Sequence, residues 1–89
     1  MNKKQKQTLE AIFAKQIPAT INWKDIESLF RALGAEISDG RGSRRRVALN
    51  ERLAVFHRPH PEKETDRGAV KSVQRFLIEA GIQPPGGNK

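Results

Sequence analysis

Both histidines of the chain fall in one short stretch, Phe56-His57-Arg58-Pro59-His60-Pro61. Histidine is the side chain best suited to moving protons near neutral pH. Cleavage of RNA needs a base to take the proton of a 2′-hydroxyl and an acid to protonate the leaving oxygen. Arg58, between the two, can stabilise charge that develops on a phosphoryl group. His57 and His60 are therefore the catalytic candidates. The structural alternative is an ordinary strand-end residue and a loop residue held by prolines, with no carboxylate at a fixed spacing to decide between the readings.

Upstream lies Gly42-Ser43-Arg44-Arg45-Arg46, where glycine lets the backbone approach a ligand and three arginines follow in a row. The guanidinium fork holds phosphate oxygens in pairs, which a lysine cannot do. From Arg41 to Arg58 the chain carries six arginines and one acid, Glu51. Arg41, Ser43, Arg44, Arg45, Arg46 and Arg58 are accordingly the candidate RNA-binding residues, against the plainer reading of a solvated edge strand kept apart from other strands by charge. A weaker candidate is Gly68 in Asp66-Arg67-Gly68-Ala69, where a helix opens and its free amides favour anions. Asp66 partly opposes that.

The composition narrows the field. Seventeen Lys and Arg against ten Asp and Glu give a net charge of +7, a field that attracts polyanions, of which nucleic acid is the commonest. With 89 residues and 36% hydrophobic content the chain can bury one modest core, so a single domain is expected over 1-83, with its function on a surface or shallow groove. No cysteine is present, which excludes a disulfide framework and a thiolate zinc site; neither metal nor cofactor is expected. No apolar run is long enough for a membrane span or a leader, so the expected compartment is the cytoplasm, with no membrane partner.

The elements that must position these residues can be read from periodicity. Leu9, Ile12, Phe13 and Ile17 have helical spacing before Pro18, predicting a first helix over about Lys4 to Gln16. Asn22 can cap a second, with Ile26, Leu29, Phe30 and Leu33 on one face and Gly34 as its stop. The period then changes to strands. Ala35 to Ser38, Ser43 to Leu49 and Arg52 to His57 predict a three-stranded antiparallel meander, with a turn at Asp39-Gly40-Arg41-Gly42 and a tight hairpin at Asn50-Glu51. Val47 and Leu49 share one face and Arg44 and Arg46 the other. A third helix opens at Asp66, carries Val70, Val73, Leu77 and Ala80 as its stripe with Phe76 beside it, and stops at Gly81. Residues 84-89, rich in Pro and Gly, are expected to be a disordered tail. The fold class is α+β, in the order α-α-β-β-β-α, with helices packed on one face of the sheet; from residue 22 onward this is the order of a double-stranded-RNA-binding module.

Taken in order, Ile26-x-x-Leu29-x-x-Ala32-Leu33-Gly34-Ala35-Glu36, Gly42-Ser43, Pro59-His60, Gly68-Ala69-Val70, Phe76-Leu77 and Ala80-Gly81-Ile82 resemble the HicA family of toxin–antitoxin systems over about residues 20-83. The resemblance implies a double-stranded-RNA-binding-like fold, metal-independent cleavage of mRNA, and neutralisation by a HicB-like antitoxin. In that family a histidine usually follows Gly-Ser and is catalytic; here the position holds Arg44, and arginine cannot serve as a base. Either catalysis rests on His57 or His60, on the strand expected to neighbour Gly-Ser, or the chain binds RNA without cutting it. Residues 1-17 read as a helical extension beyond the family core. The expected function is that of an endoribonuclease toxin, with a non-catalytic RNA-binding module as the alternative; a DNA-binding regulator ranks lower because no helix is itself strongly basic. Oligomeric state is not legible.

Overall fold

The computed structural model describes residues 1–59 and 63–84. His60, and the part of the expected tail beyond Pro84, lie outside the described residues. Three helices and three strands follow the expected order: α1 (Lys3–Ile12), α2 (Trp23–Ala32), β1 (Glu36–Asp39), β2 (Arg44–Leu49), β3 (Arg52–His57) and α3 (Arg67–Glu79). The strands form one antiparallel sheet in the order β1-β2-β3, and the helices pack on one of its faces.

Each helix begins on a side-chain cap. Asn2 and Gln5 close a reciprocal capping box at α1, Asn22 Oδ1 accepts from Lys24 N–H at 2.9 Å, and Asp66 Oδ1 accepts from Ala69 N–H at 2.7 Å. Such caps satisfy amides that have no partner within the helix. The second helix stops at Gly34, whose φ of +93° is left-handed backbone that glycine adopts without steric cost. Ala35 N–H then donates to Phe30 carbonyl oxygen and Gly34 N–H to Arg31 carbonyl oxygen, both at 3.0 Å, the pattern of a Schellman stop. This moves the first strand one residue along from its expected span, because the Ala35 amide is already committed to the helix.

The first helix ends four residues earlier than its periodicity suggests, at Ile12 in place of Gln16. Two side chains of α3 reach across to the segment that follows: Gln74 Nε2 donates to Ile12 carbonyl oxygen at 3.0 Å and Arg67 Nε to Ile17 carbonyl oxygen at 2.8 Å. Continued helix would carry Ile17 roughly 140° round from Ile12. Unwinding returns Ile17 to the core, where it is buried together with Leu9, Ile12 and Ile21. The N-terminal helix thus shares one hydrophobic cluster with the rest of the chain, and Gln5 Nε2 ties it to Ser28 Oγ at 2.9 Å.

Four aromatic rings make the centre of that cluster. Phe30 stacks on Phe56 of β3 at 5.8 Å between centroids and meets Phe76 of α3 edge-on at 6.0 Å. Trp23 and Phe76 lie 6.1 and 5.7 Å from Phe56. These separations suit offset and edge contacts between rings. Phe76, expected beside the stripe of α3, is a core residue. The segment before α3 is pinned along residues 21–23: Trp23 N–H donates to Lys63 carbonyl oxygen at 3.0 Å and Thr65 N–H to Ile21 carbonyl oxygen at 2.7 Å. No helix among the described residues is long and apolar enough to cross a membrane.

Candidate nucleic-acid interface

The face of the sheet away from the helices carries Arg44 and Arg46, both exposed. Asn50 and Glu51 both have positive φ, +50° and +68°, the signature of a two-residue type I′ hairpin, whose twist matches that of the strands it joins. Asn50 Nδ2 fixes this hairpin to the end of α3 by donating to Ala80 carbonyl oxygen at 2.7 Å. The hairpin sets the register. Arg44 pairs with His57, Arg46 with Val55 and Ala48 with Leu53, and on the far side Ser38 pairs with Arg46 and Glu36 with Ala48. Counted from the hairpin these β2–β3 rungs are the non-hydrogen-bonded ones, consistent with Arg58 N–H donating to Ser43 carbonyl oxygen at 2.8 Å in the next rung. In such rungs the Cα atoms approach to about 4.5 Å and the side chains are closest. Arg44 and His57 therefore leave the sheet side by side, and both are exposed.

The β1–β2 turn is held close to this pair. Gly40 N–H donates to Arg44 carbonyl oxygen at 2.9 Å and Arg44 N–H to Arg41 carbonyl oxygen at 3.1 Å. A Cβ on residue 40 would stand 3.1 Å from the Cβ of Arg44, so a side chain there would push on the strand that carries the candidate site. Arg41, Arg44, Arg46 and Arg58 are exposed, Ser43 is half-buried, and among the described residues no acidic side chain forms an ion pair with any of these arginines.

Arg45 is placed differently from its neighbours. Alternation turns it toward the helices, where its Nε meets Glu27 Oε2 at 3.0 Å and its guanidinium also pairs with Asp39. Glu27 is 7% exposed and accepts a hydrogen bond from Trp23 Nε1 at 2.8 Å. A buried acidic side chain is tolerated where a cation and a hydrogen-bond donor both face it. Arg45 thus clamps β2 to α2 and brings no free charge to the open face. Gly68 is apart from the strands, second in α3 and exposed; a Cβ there would meet Asp66 Oδ1 at 3.3 Å.

The family model for the HicA toxin of bacterial toxin-antitoxin systems matches residues 23–82, more than half of the chain. The chain belongs to the HicA toxin family. Comparison with curated proteins and with solved structures returned no match. Within this HicA chain the matched span begins at the first residue of α2 and leaves out α1, although Leu9 and Ile12 of α1 are part of the core. Gly42-Ser43 enters β2, so Arg44, in the position after Gly-Ser, faces His57 across one rung of the sheet.

Periodicity did not single out two apolar residues on the same face. Leu53 is 80% exposed and Val55 55% exposed; Val55 shares its rung with Arg46, and Leu53 lies opposite Ala48. The signal was present in β3, where Leu53, Val55 and His57 share one parity and Phe56 has the other. The outer face is therefore arginine-bearing along β2 and apolar along β3.

Proposed function

We propose that this HicA toxin is a metal-independent endoribonuclease that grips the RNA backbone with the outer face of its sheet. The observation that carries this reading is the Arg44–His57 rung: a free cation and a proton-transfer group emerge together, on an exposed face, at the place where the family pattern carries its histidine. Arg44 and Arg46, with Arg41, Arg58 and Ser43 at the strand ends, hold phosphate oxygens. His57 stands beside the bound phosphodiester and His60 follows three residues later. One proton leaves the 2′-hydroxyl as its oxygen attacks phosphorus, the P–O5′ bond breaks, and one proton is delivered to the departing 5′-oxygen. The products are a 2′,3′-cyclic phosphate and a 5′-hydroxyl. His57 and His60 are the groups to which these transfers are assigned, and Arg44 stabilises the charge on the phosphoryl oxygens.

Replacing Arg44 and Arg46 together by Ala is expected to weaken binding to all RNA sequences alike, since phosphate contacts position a ligand without reading bases. The dependence of log K on log salt should become shallower by about two. Titration of labelled RNA at several ionic strengths measures both effects. An unaltered slope removes these arginines from the interface.

As a toxin of a toxin–antitoxin pair the chain requires a neutralising partner, which we assign as a HicB-like antitoxin. Leu53 and Val55 fit that role, since large apolar side chains held in water beside a charged patch mark surfaces that a protein covers. Leu53→Asp is expected to raise the Kd for the antitoxin at least about tenfold, or 1.4 kcal/mol, with no loss of thermal stability because the side chain has little burial to lose. Isothermal titration with the antitoxin tests this; an unchanged Kd places the antitoxin on another face.

A further inference from the structure

A second basic surface lies away from the sheet. Where α1 stops early, residues 13–17 run beside the first half of α3 and leave a groove of about 770 Å³, lined by Phe13, Lys15, Ile17, Arg67, Lys71 and Gln74 among others. Three of these carry full positive charge and no described residue lining the groove is acidic. Among the described residues neither Lys15 nor Lys71 forms an ion pair. Arg67 is held through Nε by the Ile17 carbonyl oxygen, and no contact among the described residues engages its two terminal nitrogens. The nearest acid in sequence, Asp66, is turned to cap Ala69 N–H.

Like charges gathered in a concavity repel one another, and its low-dielectric walls concentrate their field. Gln74 and Arg67 tie α3 to the carbonyl oxygens of Ile12 and Ile17, which joins the two walls, and Lys15 and Lys71 stand exposed on either side. A single small anion would leave much of the groove empty, whereas a phosphodiester chain offers one charge per nucleotide along its length.

We propose that this groove is a second phosphate-holding site, which takes the backbone of the same RNA that the sheet binds; the proposal rests on the RNA reading given above. One wall and Lys15 come from the segment after α1, which lies outside the span matched by the family. The segment that follows α1 then has a purpose beyond placing Ile17 in the core: with α3 it completes a binding surface that the family core does not form alone.

The test is a titration of a fluorescein-labelled RNA duplex by the full chain at several salt concentrations. The double variant Lys15→Gln, Lys71→Gln is expected to flatten the slope of log K against log salt by about two. The control Lys3→Gln, Lys6→Gln, which removes the same charge from exposed positions of α1 outside the groove, should change it by clearly less. Each single groove variant should give about half the effect, which keeps the test intact if the double variant melts early. A slope unchanged by the groove variants, or changed equally by the control, overturns the groove while leaving the sheet's role standing. Groove variants that weaken antitoxin binding but leave the RNA slope unchanged also overturn it, and assign the groove to an acidic protein. Absence of RNA binding by the wild type at low salt removes the RNA reading and the groove together.

Discussion

Phe30→Ala is expected to destabilise the chain by about 3–5 kcal/mol, a large share of the about 5–15 kcal/mol that holds a native domain together. The side chain is fully buried and touches the rings of both Phe56 and Phe76, so α2, β3 and α3 all lose a contact at once. The space left cannot close easily, because the sheet is anchored at the far end by the Asn50 bond to Ala80 and near the site by Arg45 on Glu27. Chemical denaturation followed by tryptophan fluorescence reads the change. A loss under 1 kcal/mol would mean that the rings rearrange freely and that the aromatic cluster does not hold the sheet on the helices.

Much of this frame was legible from residues alone, and the places where it was not have a common cause. Caps and stops are local chemistry, so Asn22, Asp66, Gly34 and Gly81 mark helix ends in the sequence and do so in the structure. The alternation of Arg44, Arg46, Val47 and Leu49 likewise fixed which side of β2 faces water. The end of α1 was not local. It is decided by Gln74 and Arg67, more than fifty residues away, and no window around Ile12 contains that information. Glu27 shows the same limit: its burial depends on Trp23 and on Arg45 of β2, eighteen residues along the chain, standing against it.

The candidate site divides along the same line. That Ser43, Arg44 and His57 lie on neighbouring strands followed from the meander; that Arg44 and His57 occupy one rung depended on the two-residue hairpin at Asn50-Glu51 counting out the register. Arg45, adjacent in sequence to both exposed arginines, is removed from their face by alternation. His60 lies outside the described residues, so its part in the chemistry rests on its position in the chain.

The second large effect concerns chemistry. His57→Ala is expected to lower RNA cleavage by roughly 10²–10⁴-fold, the usual contribution of a general acid or base, while leaving RNA affinity close to that of the wild type. The separation follows from geometry: the arginines proposed to hold phosphate are on β2 and its turn, and His57 is an exposed residue at the end of β3 whose side chain supports nothing in the core. In cells, expression of the wild-type chain is expected to arrest growth, and the same substitution to relieve that arrest. His60→Ala, made alongside, divides the two proton transfers between the histidines; a comparable loss from each assigns one transfer to each.

The most direct measurement of the central claim is the cleavage of a labelled RNA by the purified chain without its antitoxin, in the presence of EDTA, with the product ends identified. The expected products are fragments that end in 2′,3′-cyclic phosphate and begin with 5′-hydroxyl, formed by the wild type and nearly absent with His57→Ala. Binding without cleavage by the wild type, or cleavage unaltered by removal of His57 and of His60, would contradict that claim. Arg44 in the family's catalytic position would then mark a HicA protein that holds RNA without cutting it.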